Sequence, residues 1–170
     1  MPLPPAHLIV AICGSVVCLK LSGRATFATS VDFKAAVERL RKRGHSSFVL
    51  DLSECVAMDS TFLGILVAQV QMLADQPEPK GSMHLLNPNH RITDFLENLE
   101  AMHLFKVIEC EGGLSGRYEE APTTQVSKKE MSRLCLDAHV ALMNLNPANV
   151  PKFKEVARFL AEDLKQAEGQ

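Results

Sequence analysis

The chain has 170 residues, of which 46% are apolar and 5% are aromatic, and its formal net charge is −2. This length suffices for one domain of ordinary size plus an extension, and the absence of Trp predicts a largely aliphatic core. The near-zero charge gives no electrostatic reason to expect nucleic acid or an anionic membrane as a partner.

The cysteine content indicates a reducing compartment. The number is odd and no C-x-x-C pair occurs among Cys13, Cys18, Cys55, Cys110 and Cys135. We therefore predict reduced, structural cysteines and a cytoplasmic location. The apolar run from Leu8 to Leu19 is short and is interrupted by Gly14-Ser15, so we expect neither a signal peptide nor a membrane span.

The first third of the chain predicts a hairpin followed by a helix. Two β-rich runs, 7–13 and 16–21, flank Gly14-Ser15, which suits a two-residue hairpin turn. Ser22-Gly23 is expected to end the second strand. A helix from about residue 31 to 43, capped by Thr29 or Ser30, would follow. The basic residues in its last turns complement the helix dipole.

The strongest local signal is the stretch from Phe48 to Leu66. It begins as an apolar strand, 48–52, and a polar turn is predicted at Ser53-Glu54. A second short segment, 55–58, leads to Asp59-Ser60-Thr61. The following helix is apolar nearly all round and ends near residue 75, because the prolines beyond it cannot continue a helix.

The remaining elements complete a β-β-α-β-α-β-α-β order followed by two helices. We predict an α/β fold with a mixed β-sheet, an opening hairpin and packed helices, plus a C-terminal helical pair. The predicted organisation is a domain at 1–110, a linker at 111–126 and a helical hairpin at 127–170. Each terminal helix has one apolar stripe, so the pair must pack on itself, on the main domain or on a second copy of the chain.

Searches for enzymatic motifs give no catalytic residue, metal site or cofactor. The G-x-S-x-G, G-x-x-x-x-G-K-[ST] and G-x-G-x-x-G motifs are absent. Six scattered histidines lack metal-ligand spacing, and we expect most of them on the surface or in loops. A cation or acid/base cluster of Asp51, Glu54 and Asp59 is less favoured than turn and capping roles. A small α/β enzyme remains an alternative.

Asp59-Ser60-Thr61 combines a helix start with a possible switch. A helix start, with Asp59 as the N-cap and Ser60 and Thr61 in the first turn, is sufficient to explain these three residues. A phosphate on Ser60 would also be favoured there by the helix dipole. It would add about two negative charges to an exposed rim beside Asp59 and so repel a partner shaped for the hydroxyl.

The segment Val49-Leu-Asp-Leu-Ser-Glu-Cys…Met58-Asp59-Ser60-Thr61-Phe62-Leu63-Gly64 resembles the signature of STAS domains, the anti-sigma factor antagonists or anti-anti-sigma factors. The resemblance covers about residues 7–110, includes the element order and implies a STAS-like mixed β-sheet. It implies a binding module rather than an enzyme, phosphorylated on Ser60, with Thr61 as runner-up. The unphosphorylated form would bind an anti-sigma factor that is also a serine kinase, and a phosphatase would reset it. The implied partner-binding residues are Asp59, Ser60, Thr61, Gly23, Arg24 and Thr26.

The chain departs from the family pattern in two respects, the first of which bears on partner contact and kinase recognition. Many members carry G-x-[LIV]-D after the second strand, whereas this chain has Gly23-Arg24-Ala25-Thr26 without an acid. The terminal helices lie outside the bare domain and could form a homodimer. The alternative to a switched antagonist is a non-phosphorylated scaffold or adaptor that assembles a complex through these helices.

Overall fold

The computed structural model describes residues 6–169. The first five residues of the predicted 1–110 domain and the last residue of the predicted 127–170 hairpin therefore lie outside the described residues. The elements are β1 (His7–Cys13), β2 (Val16–Ala25), α1 (Phe27–Lys42), β3 (Ser47–Met58), α2 (Ser60–Asp75), β4 (Ser82–Leu86), α3 (His90–Asn98), β5 (Lys106–Ile108), β6 (Glu119–Glu120), α4 (Lys128–Leu145) and α5 (Val150–Glu168). Single-turn 3-10 helices occupy Met102–Leu104 and Pro147–Asn149. The predicted α/β class and element order are confirmed, with β6 as an addition.

The six strands form one mixed sheet in the order β5-β4-β3-β2-β1-β6. The β1–β2 and β1–β6 pairs are antiparallel, and the other pairs are parallel. Cys13 pairs with Val16, so Gly14 and Ser15 form the two-residue turn that the sequence predicts. Gly14 has a φ of 63°, a conformation that glycine adopts without steric cost.

The expected turn at Ser53-Glu54 is wrong, because β3 continues through it to Met58. The pairing of β3 with β2 shifts register twice, and each shift leaves one extra residue on β3. Such bulges let consecutive side chains face solvent without ending the strand. Ser53 and Glu54 are both exposed at the first bulge. Two consecutive polar residues are the pattern that predicts a turn here. The partner strand β2 also continues past Ser22-Gly23, to Ala25.

The first helix begins earlier than predicted. Thr26, rather than Thr29 or Ser30, is the N-cap of α1. The backbone N–H of Thr26 donates to Thr29 Oγ1 at 3.5 Å, and Ser30 N donates to Thr26 O at 3.0 Å. Three residues that can cap a helix, Thr26, Thr29 and Ser30, fall within five positions. The end of β2 decides between them, because it delivers the chain to the helix at Thr26.

Helix α2 lies between two layers of structure. On one side it packs with α1 over the sheet, where the rings of Phe33 and Phe62 are 5.1 Å apart. On the other side it packs against α4, which in turn packs against α5. A helix that is apolar on nearly all sides needs cover of this kind. Of the three packing options for the terminal helices, the structure shows contact with each other and with the main domain.

The segment predicted as a linker is attached to the domain at several points. Its strand β6 pairs with β1. Thr124 N donates to Asp32 Oδ1 of α1 at 2.8 Å, and Tyr118 Oη lies 3.0 Å from Cys18 Sγ in β2. These contacts hold residues 118–124 against the edge of the sheet and the adjacent helix before α4 begins.

Candidate functional site

Asp59 joins the N-termini of two helices. Its Oδ1 accepts a hydrogen bond from Phe62 N at 2.8 Å, which makes Asp59 the N-cap of α2 as predicted. Its Oδ2 accepts from Phe27 N, at the start of α1, at 3.0 Å. The Asp59 N–H donates to Ala25 O at 2.9 Å. One carboxylate thus satisfies free N–H groups of both helices and complements both dipoles.

Ser60 is the first residue of α2, and its hydroxyl is engaged by α4. Its Oγ lies 2.9 Å from His139 Nε2. His139 Nδ1 lies 2.6 Å from the Cys135 carbonyl oxygen, which can only accept a hydrogen bond. In the neutral imidazole the proton is therefore on Nδ1, and Nε2 accepts from Ser60. The ring of Phe153, in α5, is 5.3 Å from the His139 ring and supports it from behind.

Thr61 and Gly64 extend this contact along the two helices. Thr61 is 7% exposed, and its Oγ1 lies 3.9 Å from Cys135 Sγ. One turn further, a Cβ on Gly64 would lie 2.2 Å from the Ala138 carbonyl oxygen. Only glycine allows α2 and α4 to approach this closely. We refer to Ser60, Thr61 and Gly64, with Cys135, Ala138 and His139, as the α2–α4 interface.

The interface corrects the expectation of an exposed rim around Ser60. Ser60 is half-buried and Thr61 is buried, because α4 lies over the first two turns of α2. The reason is the apolar stripe of α4, whose Leu134 and Leu142 enter the main core beside Ala138. The sequence required this stripe to be covered but did not specify the surface that would cover it.

Burial keeps the cysteine of this interface protonated. Desolvation raises the pKa of Cys135, and the hydrogen bond from Thr61 acts in the opposite direction. Burial likewise raises the pKa of Cys18 and Cys55 in the sheet. A thiol with a raised pKa is a poor nucleophile at neutral pH. The structural role predicted for these cysteines agrees with this chemistry.

The other predicted partner residues divide into two places. Thr26, as the N-cap of α1, is next to the Asp59 carboxylate and shares its rim. Gly23 lies at the second bulge of the sheet with a φ of 80°. Arg24 is exposed and lines a cleft together with Thr26 and Asp32, and Ser60 is not part of that lining. The structure therefore groups Asp59, Ser60 and Thr61, and Thr26 lies between this group and the cleft that Arg24 lines.

The main residue that sequence reasoning missed is His139. We expected most histidines on the surface or in loops, and His139, which is 5% exposed, is the buried exception among the six. A signal was present in the spacing. Position 139 lies four residues after Cys135 and three before Leu142, on the edge of the apolar stripe of α4.

The carboxylates considered for chemistry do not form one cluster. Asp51 is buried, and its Oδ1 accepts from Ser53 N at 2.9 Å and Ser53 Oγ at 2.6 Å. Glu54 pairs with Lys20 at 3.2 Å, while Asp59 caps helices. Within residues 6–169, no group of three or more His, Cys, Asp or Glu could hold a metal ion. No helix in that range is long and apolar enough to cross a membrane.

A family model described as "Mlab, STAS domain" matches residues 10–106, more than half of the chain. The chain belongs to the STAS domain family. The match spans the sheet from β1 to the start of β5, with α1, α2 and α3, and excludes α4 and α5. No curated protein has a sequence that matches the chain.

Solved structures of anti-sigma factor antagonists share the fold. A candidate antagonist from Thermotoga maritima is 21% identical, with a TM-score of 0.52 over 61% of this chain and 86% of its own. An antagonist from Mycobacterium paratuberculosis is 16% identical, with a TM-score of 0.52 over 61% and 85%. Unphosphorylated SpoIIAA is 14% identical, with a TM-score of 0.51 over 62% and 89%. At these identities the likeness establishes the STAS fold.

Proposed function

We propose that this STAS protein is a cytoplasmic anti-sigma factor antagonist whose binding is switched by phosphorylation of Ser60. The observation that carries the proposal is the position of Ser60. It is the first residue of α2, directly after an Asp59 carboxylate that already caps two helices. Together with the signature that this segment resembles, this position favours Ser60 over Thr61, whose hydroxyl is buried against Cys135.

The switch would act by charge and by volume. In the transfer, Ser60 Oγ bonds to the γ-phosphorus of ATP, ADP leaves, and the hydroxyl proton passes to a base of the kinase. The product carries about two negative charges at neutral pH, in place of a neutral donor. The N-terminus of α2 attracts this charge, while the Asp59 carboxylate repels it. A phosphate also cannot fit in the 2.9 Å between Oγ and His139 Nε2.

The proposed partner is an anti-sigma factor with serine kinase activity, bound when Ser60 is unphosphorylated, and a phosphatase would reverse the modification. Asp59, Ser60, Thr61 and Thr26 would form the centre of the contact, and Gly23 and Arg24 would lie at its edge. No catalytic residue of this chain takes part, because the kinase supplies the chemistry.

Phosphate transfer tests this proposal directly. Incubation with an anti-sigma-type serine kinase of the same organism and ATP should add one phosphate to the full chain, measured by intact mass. Ser60→Ala should abolish the addition, and Thr61→Ala, its matched neighbour, should retain it. Labelling that survives Ser60→Ala and is lost in Thr61→Ala would move the site. Absence of labelling with every such kinase would reject the switch.

One observation supports the alternative of a non-phosphorylated scaffold or adaptor, namely an exposed apolar surface on α5. Phe159 of α5 is 67% exposed, and Val156 beside it on the same helix is also exposed. An apolar surface of this kind can bind a second protein. If the hairpin assembles a complex or a homodimer, Phe159→Glu should lower the molar mass measured by light scattering. An unchanged mass would remove this surface as an assembly device.

A further inference from the structure

We infer that α4 and α5 (128–168, the C-terminal hairpin) form a displaceable cover over the Ser60 surface, so that a partner must compete with α4 for the same face of α2. The inference rests on the proposed function for the identity of that surface. It adds a regulatory element that lies outside the matched STAS region, 10–106.

The first argument is that the hairpin occupies the proposed contact residues themselves. Ser60 Oγ is hydrogen-bonded to His139, and Thr61 Oγ1 lies 3.9 Å from Cys135 Sγ. Gly64 is in backbone contact with Ala138. A kinase that transfers phosphate to Oγ needs free space around that atom, and α4 fills this space. The docked hairpin and a bound partner are therefore mutually exclusive at Ser60.

The second argument is the polarity of the contact around Ser60 itself, although Leu134, Ala138 and Leu142 of α4 are buried with the main core. Four of the six residues of the α2–α4 interface carry a hydroxyl, a thiol or an imidazole. These groups find good partners in water when the hairpin leaves, so their bonds contribute little net stability. The core between α2 and the sheet is built instead from buried aliphatic and aromatic side chains, including Phe33, Phe62 and Leu66.

The turn between α4 and α5 adds a further cost to docking. Asn149 is fully buried, and its Nδ2 donates to Leu99 O and Leu142 O at 2.9 Å. Its Oδ1 has no hydrogen-bond partner among the described residues. A buried acceptor without a partner loses the hydration that it would have in the open state. This penalty is paid only while the hairpin is docked.

The hairpin can leave as one unit because its helices hold each other. Arg133 of α4 forms an ion pair with Glu168 of α5 at 3.3 Å, and Ser132 lies 3.5 Å from Asp163. Ala157 and Leu164 of α5 are buried. Opening therefore breaks the contacts of α4 with α2, those of the turn with the end of α3, and the hydrogen bond from Lys152 Nζ of α5 to Asn98 O. It keeps the α4–α5 contacts.

Thiol reactivity measures this opening without any kinase or partner. The full chain carries Ser60→Cys as the reporter, with Cys13→Ser and Cys135→Ala to remove two other partly exposed thiols. Cys110 is exposed and serves as the open reference, whereas Cys18 and Cys55 are buried in the sheet and report unfolding. The probe is dithiobis(nitrobenzoic acid), with each site followed by peptide mass spectrometry.

We expect the thiol at position 60 to react at least about tenfold more slowly than Cys110, and faster than Cys18 and Cys55, as local opening requires. Adding Ala138→Leu should wedge α4 away from Gly64 and accelerate the reaction at position 60 by about tenfold or more, with Cys18 and Cys55 still protected. Ala148→Leu, the same change at an exposed position, should leave the rate unaltered.

Two outcomes would overturn the inference. If position 60 reacts as fast as Cys110 in the parent, the hairpin does not cover it. If position 60 becomes reactive only together with Cys18 and Cys55, in the parent and in Ala138→Leu, the hairpin is a fixed part of the fold. Because the assay contains no kinase, it stands or fails independently of Ser60 phosphorylation.

Discussion

The two sides of α2 differ in the side chains that they bury. The side toward the sheet and α1 is mainly apolar and includes an aromatic pair, Phe33 and Phe62, although Gln69 of α2 and Ser30 of α1 are also buried. The side toward α4 places Ser60, Thr61 and Gly64 against Cys135, Ala138 and His139, while Leu134 and Leu142 of α4 are buried in the core. Burial of apolar side chains contributes a large favourable free energy of folding. A hydrogen bond contributes little net free energy, because both of its groups can bond to water instead. We infer that the side toward α4 opens before the side toward the sheet, and we call these two sides the reversible face and the permanent face.

The largest effect should come from the permanent face. Phe62→Ala removes a side chain that is 0% exposed and should lower the free energy of unfolding by about 3–5 kcal/mol. Urea denaturation followed by circular dichroism measures this loss. The control is Met72→Ala on the same helix, which is exposed and should change stability by no more than about 0.5 kcal/mol. Equal effects would contradict the packing described here.

Gly64→Ala should act on the reversible face alone. The added methyl would meet the backbone of Ala138, so α4 should detach at a cost of about 1–3 kcal/mol. Hydrogen exchange should show loss of protection in α4 with retained protection in β2 and β3, because an undocked helical hairpin is marginal in water.

The matched control is Gly169→Ala, where a Cβ would make only ordinary contacts, at 3.5 Å and beyond. Its exchange pattern should equal that of the parent. If Gly64→Ala also leaves α4 fully protected, the close approach of α2 and α4 does not limit docking.

The Ser60–His139 hydrogen bond should contribute a smaller amount. A double-mutant cycle with Ser60→Ala and His139→Ala should give a coupling free energy of about 0.5–1.5 kcal/mol, the usual net value for a hydrogen bond. Unfolding free energies of the four proteins, measured by urea denaturation under one set of conditions, provide the measurement. A coupling indistinguishable from zero would mean that the 2.9 Å contact is not formed in solution.

The smallest effect is a loss of stability at alkaline pH. Burial raises the pKa of Cys18, Cys55 and Cys135 above the ordinary value of 9.0. The unfolded chain then loses these protons first, so stability should be full below about pH 9 and should fall as the pH rises beyond it. Cys135→Ala should remove the part of this fall that belongs to the α2–α4 interface. A pH profile that is unchanged by Cys135→Ala would contradict this assignment.

Local sequence patterns predicted most of the secondary-structure elements of the domain. Alternation of strand-length apolar runs with helical stripes predicted the mixed sheet, and Asp59 before an apolar helix predicted the N-cap that the structure shows. Boundaries that depend on pairing were predicted less well. Ser53 and Glu54 suggested a turn because a sequence does not show that a bulge on β3 can expose both residues within a continuous strand.

The sequence by itself determined the STAS fold, the cap at Asp59 and the position of Ser60 at the start of α2, because each depends on residues that are neighbours along the chain. Only the tertiary structure decided that Ser60 meets His139, 79 residues away, and that Gly64 meets Ala138. An amphipathic stripe specifies that a helix must be covered, but not by what. The cover is chosen by shape and by polar partners, which are properties of two surfaces in space.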